Sequence, residues 1–351
     1  MRVLIVDDSA FMRKALRSAL DSDPDVEVVG FARDGEQAVS MTAELKPDLV
    51  TLDVEMPGVD GLTALRRIMR DCPTRVVIIS SQTPKGSQAA LTAYKLGAID
   101  VIAKDAGSSQ SGDMSGAGQH LRRLIAGIRA SSTSSTPASK ATARSSSLER
   151  IGDAGPFSCI AVGSSTGGPP VLEKLIVAVP ESLSVPMVIA QHMPVVFTAS
   201  MAERFSTICA RPVRHIEDGC TIDPGTVHIC PGGSNTHIQR AGGILRATVN
   251  RLPEDTTYFP SVNVLFDTIS KAIRGSVLGF VLTGMGEDGV IGARELVDRG
   301  GTIVAQNESS SVVYGMPRAV VDNDIASGAG DPDQLASVLA RAAASARAQA
   351  A

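Results

Sequence analysis

The chain has 351 residues, too many for one small core and enough for two domains. Hydrophobic residues make up 43%, so both domains can bury proper cores, and the formal net charge of −4 argues against nucleic acid as a partner. No stretch resembles a transmembrane span, so direct membrane insertion is not expected. Met1-Arg2-Val3-Leu4-Ile5-Val6-Asp7-Asp8 has two acids where a signal peptide needs apolar residues, and reads as a strand running into a site. The five cysteines (Cys72, Cys159, Cys209, Cys220, Cys230) are scattered with no C-x-x-C pair, as expected of free thiols in a reducing cytoplasm.

The first half alternates strand and helix. Apolar runs at 3–6, 26–32, 48–54, 75–81 and 99–104 read as buried strands. Between the first two, Met12, Ala15, Leu16, Ala19 and Leu20 form one helical face. Five such βα units predict a doubly wound parallel sheet, which binds ligands at the carboxyl ends of its strands. Leu121, Leu124, Ile125 and Ile128 recur at helical spacing and predict the last helix of a first domain, 1–130. Residues 131–147 hold eleven Ser or Thr, with Pro137 and almost nothing apolar. Such a segment cannot bury enough surface to offset its ordering entropy, so 131–155 reads as a flexible linker.

The remainder, 156–348, reads as a second α/β domain. Expected strands are 159–163, 186–191, 276–283 and 302–306. Expected helices lie near 169–179, 195–208, 262–274, 289–299 and 332–348. The stretch 213–249 is rich in Gly, Thr and Val, and Ala241-Gly242-Gly243 looks like a hairpin turn. It is expected to form an antiparallel insert.

In the first domain Asp7 and Asp8 end the first predicted strand, Asp53 the third, Ser80 the fourth and Lys104 the fifth. A parallel sheet brings these ends together. Three carboxylates in one pocket repel unless a cation sits among them, and Mg²⁺ is a hard cation that takes oxygen ligands. One carboxylate can then attack a phosphoryl donor while the lysine and hydroxyl stabilise its oxygens. The Asp7-Asp8 pair alone could equally be a helix cap.

With Asp53-Val54-Glu55-Met56-Pro57-Gly58-Val59-Asp60-Gly61 and Lys104, residues 1–130 resemble a response-regulator receiver domain. That resemblance implies a flavodoxin-like (βα)5 fold with Asp53 as phosphoacceptor. It places Asp7, Asp8, Asp53 and the carbonyl of Glu55 around Mg²⁺, with Ser80 as switch hydroxyl and Lys104 as phosphate-binding lysine. Two positions depart from the family pattern. Asp105 stands where proline usually follows the lysine, and Val101 where an aromatic residue is usual.

In the second domain Gly163-Ser164-Ser165-Thr166-Gly167 fits G-x-S-x-G after a predicted strand and before a helix. Small flanking residues let the central serine sit on a sharp elbow, and the helix start offers N–H groups to an oxyanion. Alone, such a turn is as often a phosphate cradle. A serine needs a base. His192 directly follows the strand Met187–Gln191 and shares the sheet edge with Ser165. His120 lies on the first-domain side, His215 and His228 fall within strands, and His237 stays open on position alone. Val281-Leu282-Thr283-Gly284-Met285-Gly286-Glu287-Asp288-Gly289 is a third strand and turn, whose Asp288 or Glu287 can reach the site to orient the base.

These segments, with Gln191-His192-Met193-Pro194, Pro260-Ser261-Val262-Asn263-Val264-Leu265-Phe266 and Ala305-Gln306-Asn307-Glu308, resemble the chemotaxis receptor methylesterase family, CheB, over about 156–330. The order receiver, linker, hydrolase matches as well. The resemblance implies a doubly wound, mostly parallel α/β hydrolase domain with an antiparallel hairpin insert. It implies the triad Ser165, His192 and Asp288, oxyanion stabilisation at Thr166 and Met285, and Ser164 as a spectator.

The implied reaction is hydrolysis of glutamate methyl esters on methyl-accepting chemotaxis receptors, releasing methanol and needing no cofactor. Deamidation of receptor glutamines by the same triad is its nearest variant. A chemotaxis histidine kinase is the expected phosphodonor, and the cytoplasm the expected location. The unphosphorylated receiver is expected to inhibit the hydrolase. A non-catalytic regulator whose second domain only binds a partner is the competing reading, disfavoured by the intact Ser, His and Asp set.

Overall fold

A computed structural model describes residues 1–81, 83–104, 115–133, 148, 150–151, 156–251, 256–273 and 276–345. Asp105 and most of the expected linker (134–147, 149, 152–155) lie outside the described residues, as do 346–348 of the last expected helix. The chain divides into two compact units, Met1–Ala130 and Ser131–Ala351. No helix among the described residues is long and apolar enough to cross a membrane.

The first unit holds β1 (Arg2–Val6), α1 (Ala10–Leu20), β2 (Glu27–Ala32), α2 (Gly35–Leu45), β3 (Leu49–Asp53), α3 (Gly61–Asp71), β4 (Arg75–Ser81), α4 (Pro84–Lys95) and β5 (Asp100–Lys104). Its last helix, α5 (Ser115–Thr133), runs three residues into the expected linker. The strands form one parallel sheet in the order β2-β1-β3-β4-β5. Val3 to Val6 and Val76 to Ile79 are fully buried, because helices cover both faces of a parallel sheet. Ser9, Asp34, Asp60 and Thr83 cap four of the helices by accepting a first-turn N–H. The chain reverses direction across the sheet between β1 and β3. Asp7 and Asp53 therefore flank the crevice where such folds bind ligands.

The second unit holds β6 (Cys159–Ser164), α6 (Gly168–Val177), β7 (Met187–Gln191), α7 (Val195–Ser206), β8 (Val213–His215) and β9 (Val227–Ile229). After them come β10 (Asn235–Ala241), β11 (Ile244–Asn250), α8 (Val262–Ala272), β12 (Val277–Val281), α9 (Val290–Asp298) and β13 (Thr302–Gln306). The unit ends with α10 (Met316–Asp322), β14 (Ala326–Gly330) and α11 (Pro332–Ser345). Seven strands form a parallel sheet in the order β14-β13-β12-β6-β7-β9-β8. Phe266, Leu265 and Ile269 of α8 pack with Val281 and Val277 of β12 in its core.

The insert expected over 213–249 is smaller than the composition suggested. β8 and β9 pair parallel to the main sheet, and only β10 and β11 form an antiparallel hairpin. Its two-residue turn is Gly242-Gly243, both at positive φ (58° and 83°), as a tight hairpin turn requires. Leu148 and Ile151, inside the expected linker 131–155, are helical and buried, and Leu148 lies against Gly330. These two apolar residues have a core to join, which the bulk composition of their surroundings hides.

Candidate active site

The second sheet reverses its winding between β6 and β12, so the crevice at their carboxyl ends is the favoured ligand position. Ser165 leaves β6 there. Strand-like pairing continues past the strand ends: the Ser165 N–H donates to the Thr283 carbonyl at 3.0 Å, and the His192 N–H to the Ser164 carbonyl at 3.0 Å. Because Ser164 pairs with Gln191 in register, Ser165 and His192 emerge side by side. Gly167 turns the chain at φ 77°, and its missing side chain leaves room for Val312 and Thr283. Gly284 lets the loop after β12 close on the serine, since a Cβ there would sit 2.7 Å from Ser165 Cβ.

His192 Nε2 lies 2.8 Å from Asp288 Oδ2. Asp288 is 3% exposed, whereas Glu287 is exposed, which resolves the choice between them. The carboxylate accepts three more hydrogen bonds: Val262 N–H at 2.7 Å to Oδ2, with Ser261 Oγ and Asn263 N–H to Oδ1, both at 3.0 Å. Asp288 thus sits on the N-terminus of α8, where the free N–H groups and the helix dipole favour negative charge. Burial works against its ionisation. The bonds from His192, Val262 and Asn263 overcome that cost and hold the carboxyl below its ordinary value of 3.8.

An ionised Asp288 only accepts, so Nε2 carries the imidazole proton and Nδ1 the lone pair. Nδ1 is buried and has no hydrogen-bond partner among the described residues. A buried nitrogen lone pair left unpaired beside a serine elbow is a site waiting for a proton donor. Tyr258 stacks on the same ring, with centroids 4.6 Å apart.

Around these three, Gln191 Nε2 donates to the Ser165 carbonyl at 2.8 Å and Ser164 Oγ donates to Gln191 Oε1 at 2.6 Å. Thr283 Oγ1 donates to the Thr166 carbonyl at 2.9 Å. The Met285 N–H has no hydrogen-bond partner among the described residues, whereas the Ser165 N–H is already spent on Thr283. The other histidines are engaged elsewhere. His120 meets Asp100, His215 meets Thr198, and His228 meets the Asp223 backbone. His237 lies on the hairpin strand β10.

Tyr258, Gln191, Ser261 and Asn263 were not singled out individually by the sequence reading. Gln191, Ser261 and Asn263 lay within segments that carried the family resemblance, but nothing local marked Tyr258.

In the first unit Asp7, Asp8 and Asp53 each offer a carboxylate oxygen within 4.8 Å of the others. Lys104 Nζ lies 2.8 Å from Asp53 Oδ2 and 3.2 Å from Asp7 Oδ2. Burial pushes the carboxyls of Asp53 and Asp7 up despite Lys104. Burial also disfavours the Lys104 charge, but the bond to Asp53 and the charge of Asp7 win and raise it. The Glu55 N–H donates to Asp53 Oδ1 at 3.3 Å. Ser80 is buried, and its hydroxyl donates to the Gly86 carbonyl at 3.2 Å. A hard divalent cation fits an all-oxygen, electron-rich cluster of this size.

A parallel α/β sheet that presents a serine elbow, an imidazole and a buried carboxylate at its switch point is the architecture of a serine hydrolase domain. Residues 160–339 match the CheB methylesterase family, and residues 3–111 match the response regulator receiver domain. The chain belongs to the CheB methylesterase family. It is 39% identical to protein-glutamate methylesterase/protein-glutamine glutaminase 1 of Oleidesulfovibrio alaskensis, over 97% of this chain and 99% of that one. It is 38% identical to the protein of the same description from Geobacter sulfurreducens, over 97% of each chain. The crystal structure of the Thermotoga maritima CheB methylesterase catalytic domain superposes with a TM-score of 0.51 at 30% identity. It covers 52% of this chain and 97% of that domain.

Proposed function

We propose that this protein is a receiver-controlled protein-glutamate methylesterase in which Ser165 is the nucleophile, His192 the base and Asp288 its anchor. The observation that carries this reading is the His192–Asp288 hydrogen bond, which leaves a buried, unpaired Nδ1 beside the Ser165 elbow. Ser165 Oγ attacks the γ-carbonyl of a glutamyl methyl ester on a chemotaxis receptor and passes its proton to His192. Asp288 stabilises the imidazolium. The tetrahedral oxyanion is met by the amide of Met285 and by the helix start at Thr166. Methanol takes the proton back from His192 as it leaves, and water then hydrolyses the acyl-enzyme to free glutamate. No cofactor serves this step. Glutamine deamidation follows the same course with ammonia as leaving group, and the shared name of the relatives supports it.

In the receiver, Asp53 takes the phosphoryl group of a chemotaxis histidine kinase. Asp7, Asp8, Asp53 and the Glu55 carbonyl would hold Mg²⁺, which supplies positive charge against the carboxylates and the incoming phosphoryl oxygens. Lys104 and Ser80 then bind the phosphoryl oxygens on Asp53. The protein works in the cytoplasm, where receptors present their methylated segments. The test is methanol release from methylated receptor fragments with and without acetyl phosphate. No release in either condition, with the protein folded, would sink the reading.

A further inference from the structure

We infer that Tyr258 is a positioning residue for the His192 ring; this rests on the serine-hydrolase reading of the site. The Tyr258 ring lies 10° from parallel to the imidazole, with centroids 4.6 Å apart. That separation lies within the range of stacked aromatic pairs. The far end of the same side chain reaches the next loop. A Cβ on Gly286 would sit 2.5 Å from the Tyr258 hydroxyl oxygen. Gly286 holds φ 75° and directly follows Met285. One side chain therefore spans the base and the turn that aims the proposed oxyanion donor.

The need for such a brace follows from the geometry of the base. Asp288 grips the imidazole at one ring atom, Nε2. A single hydrogen bond sets the distance of that edge but leaves the ring free to tilt about it. Proton transfer from Ser165 needs the Nδ1 lone pair, which lies in the ring plane, aimed at the hydroxyl. A flat surface stacked on the ring fixes that plane.

Tyr258 is itself held in the frame of Asp288. Its carbonyl accepts from Thr256 Oγ1 at 3.0 Å, and Thr256 Oγ1 accepts from Asn235 Nδ2 at 3.3 Å. Asn235 Oδ1 in turn accepts the Ser261 N–H at 2.8 Å, and Ser261 Oγ donates to Asp288. The chain of bonds returns to the carboxylate, so base, anchor and brace move together.

Tyr258 also lines a cleft of about 560 Å³ with Glu287, Arg318 and Asp322. A mere lining residue would act on substrate affinity, and a positioning residue on turnover. The experiment measures kcat and KM for methanol release by the full chain with acetyl phosphate and Mg²⁺. Tyr258→Leu is expected to lower kcat roughly 30- to 100-fold with KM within about threefold. Tyr258→Phe keeps the stacked face and should stay within about threefold of wild type in both.

A second readout does not need turnover: the downfield proton resonance of the His192–Asp288 bond. It should persist in Tyr258→Phe and broaden or vanish in Tyr258→Leu. A raised KM with unchanged kcat in the leucine variant overturns the inference, as does a phenylalanine variant as defective as the leucine one. Should Tyr258→Leu fail to fold, the phenylalanine variant still decides, because loss of turnover there rules out the stacked face as the working element. If wild type releases no methanol, or Ser165→Ala releases as much as wild type, the functional reading falls instead. The proton resonance then still reports whether Tyr258 orders the imidazole.

Discussion

The carboxamide of Gln191 holds the Ser165 carbonyl through Nε2 at 2.8 Å and takes the Ser164 hydroxyl on Oε1 at 2.6 Å. Ser164 is therefore no idle neighbour of the elbow. It is fully buried and fixes the rotamer of the residue that grips the serine backbone.

The two serines should then separate by phenotype. Ser165→Ala is expected to abolish methanol release without changing the thermal transition. Ser164→Ala should keep most of the activity, yet lose about 1–3 kcal/mol of stability, because it leaves a buried carboxamide oxygen short of a donor. Steady-state rates and denaturant unfolding of both variants check this. Equal loss of activity in the two would mean the wrong serine has been given the chemistry.

Asp288→Asn replaces an acceptor-only group by an amide whose NH2 must face donors. Of His192 Nε2, Val262 N, Asn263 N and Ser261 Oγ, some must lose their partner. The imidazole is also freed to take the wrong tautomer. Turnover is expected to fall roughly 10³- to 10⁴-fold.

A pH dependence accompanies this. The carboxyl of Asp288 titrates below its ordinary 3.8 in the folded chain. Its contribution to stability is therefore present above that value and is lost as pH falls through the folded-state pKa. Wild type should exceed Asp288→Asn in stability at pH 6, and the gap should close as the pH drops below 3.8. Urea titrations at several pH values measure it, and a gap that stays constant down to pH 2.5 would contradict the assignment.

How much of this could be read beforehand depended on how local the signal was. The receiver strands were apolar runs, two of them ending in acids and the fifth in a lysine, so both the sheet and the Asp7, Asp53 and Lys104 cluster were legible. Ser165 and His192 each directly follow a strand and Asp288 lies on the turn after a third, and a parallel sheet leaves strand ends little choice of neighbour. β14 escaped because Ala-Ser-Gly-Ala-Gly has almost no β-propensity and is held by its neighbour β13. α10 escaped because it has only seven residues and opens on Met-Pro. Tyr258 was invisible for another reason. Its partner His192 is 66 positions away, and a single stacked ring leaves no periodicity in the chain.

Gly284→Ala probes how tightly the loop after β12 closes on the elbow. The added methyl group would meet Ser165 Cβ at 2.7 Å and Met316 Sδ at 2.4 Å. Met316 can shift its flexible end, but Ser165 is tied at both N–H and carbonyl and must move as part of the backbone. A displacement of a few tenths of an ångström to 1 Å at a nucleophile costs up to about 10²-fold in rate. The expected result is a fall in kcat of that order with the protein still folded. Wild-type kcat would show that the loop has slack.

The last prediction concerns the acidic cluster. Burial raises the carboxyl of Asp53 above its ordinary 3.8 in the folded receiver. A raised carboxyl pKa stabilises the fold below the unfolded value, and that contribution is lost as pH rises through the folded one. At neutral pH the ionised Asp53 therefore works against stability, even with Lys104 at 2.8 Å. Asp53→Asn removes that charge while leaving Lys104 its second partner, Asp7. The variant should unfold at a higher temperature than wild type at pH 7 without divalent cations, and at about the same temperature near pH 3. Adding Mg²⁺ should reverse the order. A ligand that binds only the native state stabilises it by about 1.4 kcal/mol at ten times its Kd, and wild type offers three carboxylates to the cation where the variant offers two. Acetyl phosphate with Mg²⁺ should then raise methanol release by wild type and leave Asp53→Asn unchanged. Calorimetry with and without Mg²⁺, paired with that rate, decides the matter. A variant less stable than wild type in the absence of Mg²⁺ would mean that the Lys104 bond outweighs the cost of burying the carboxylate.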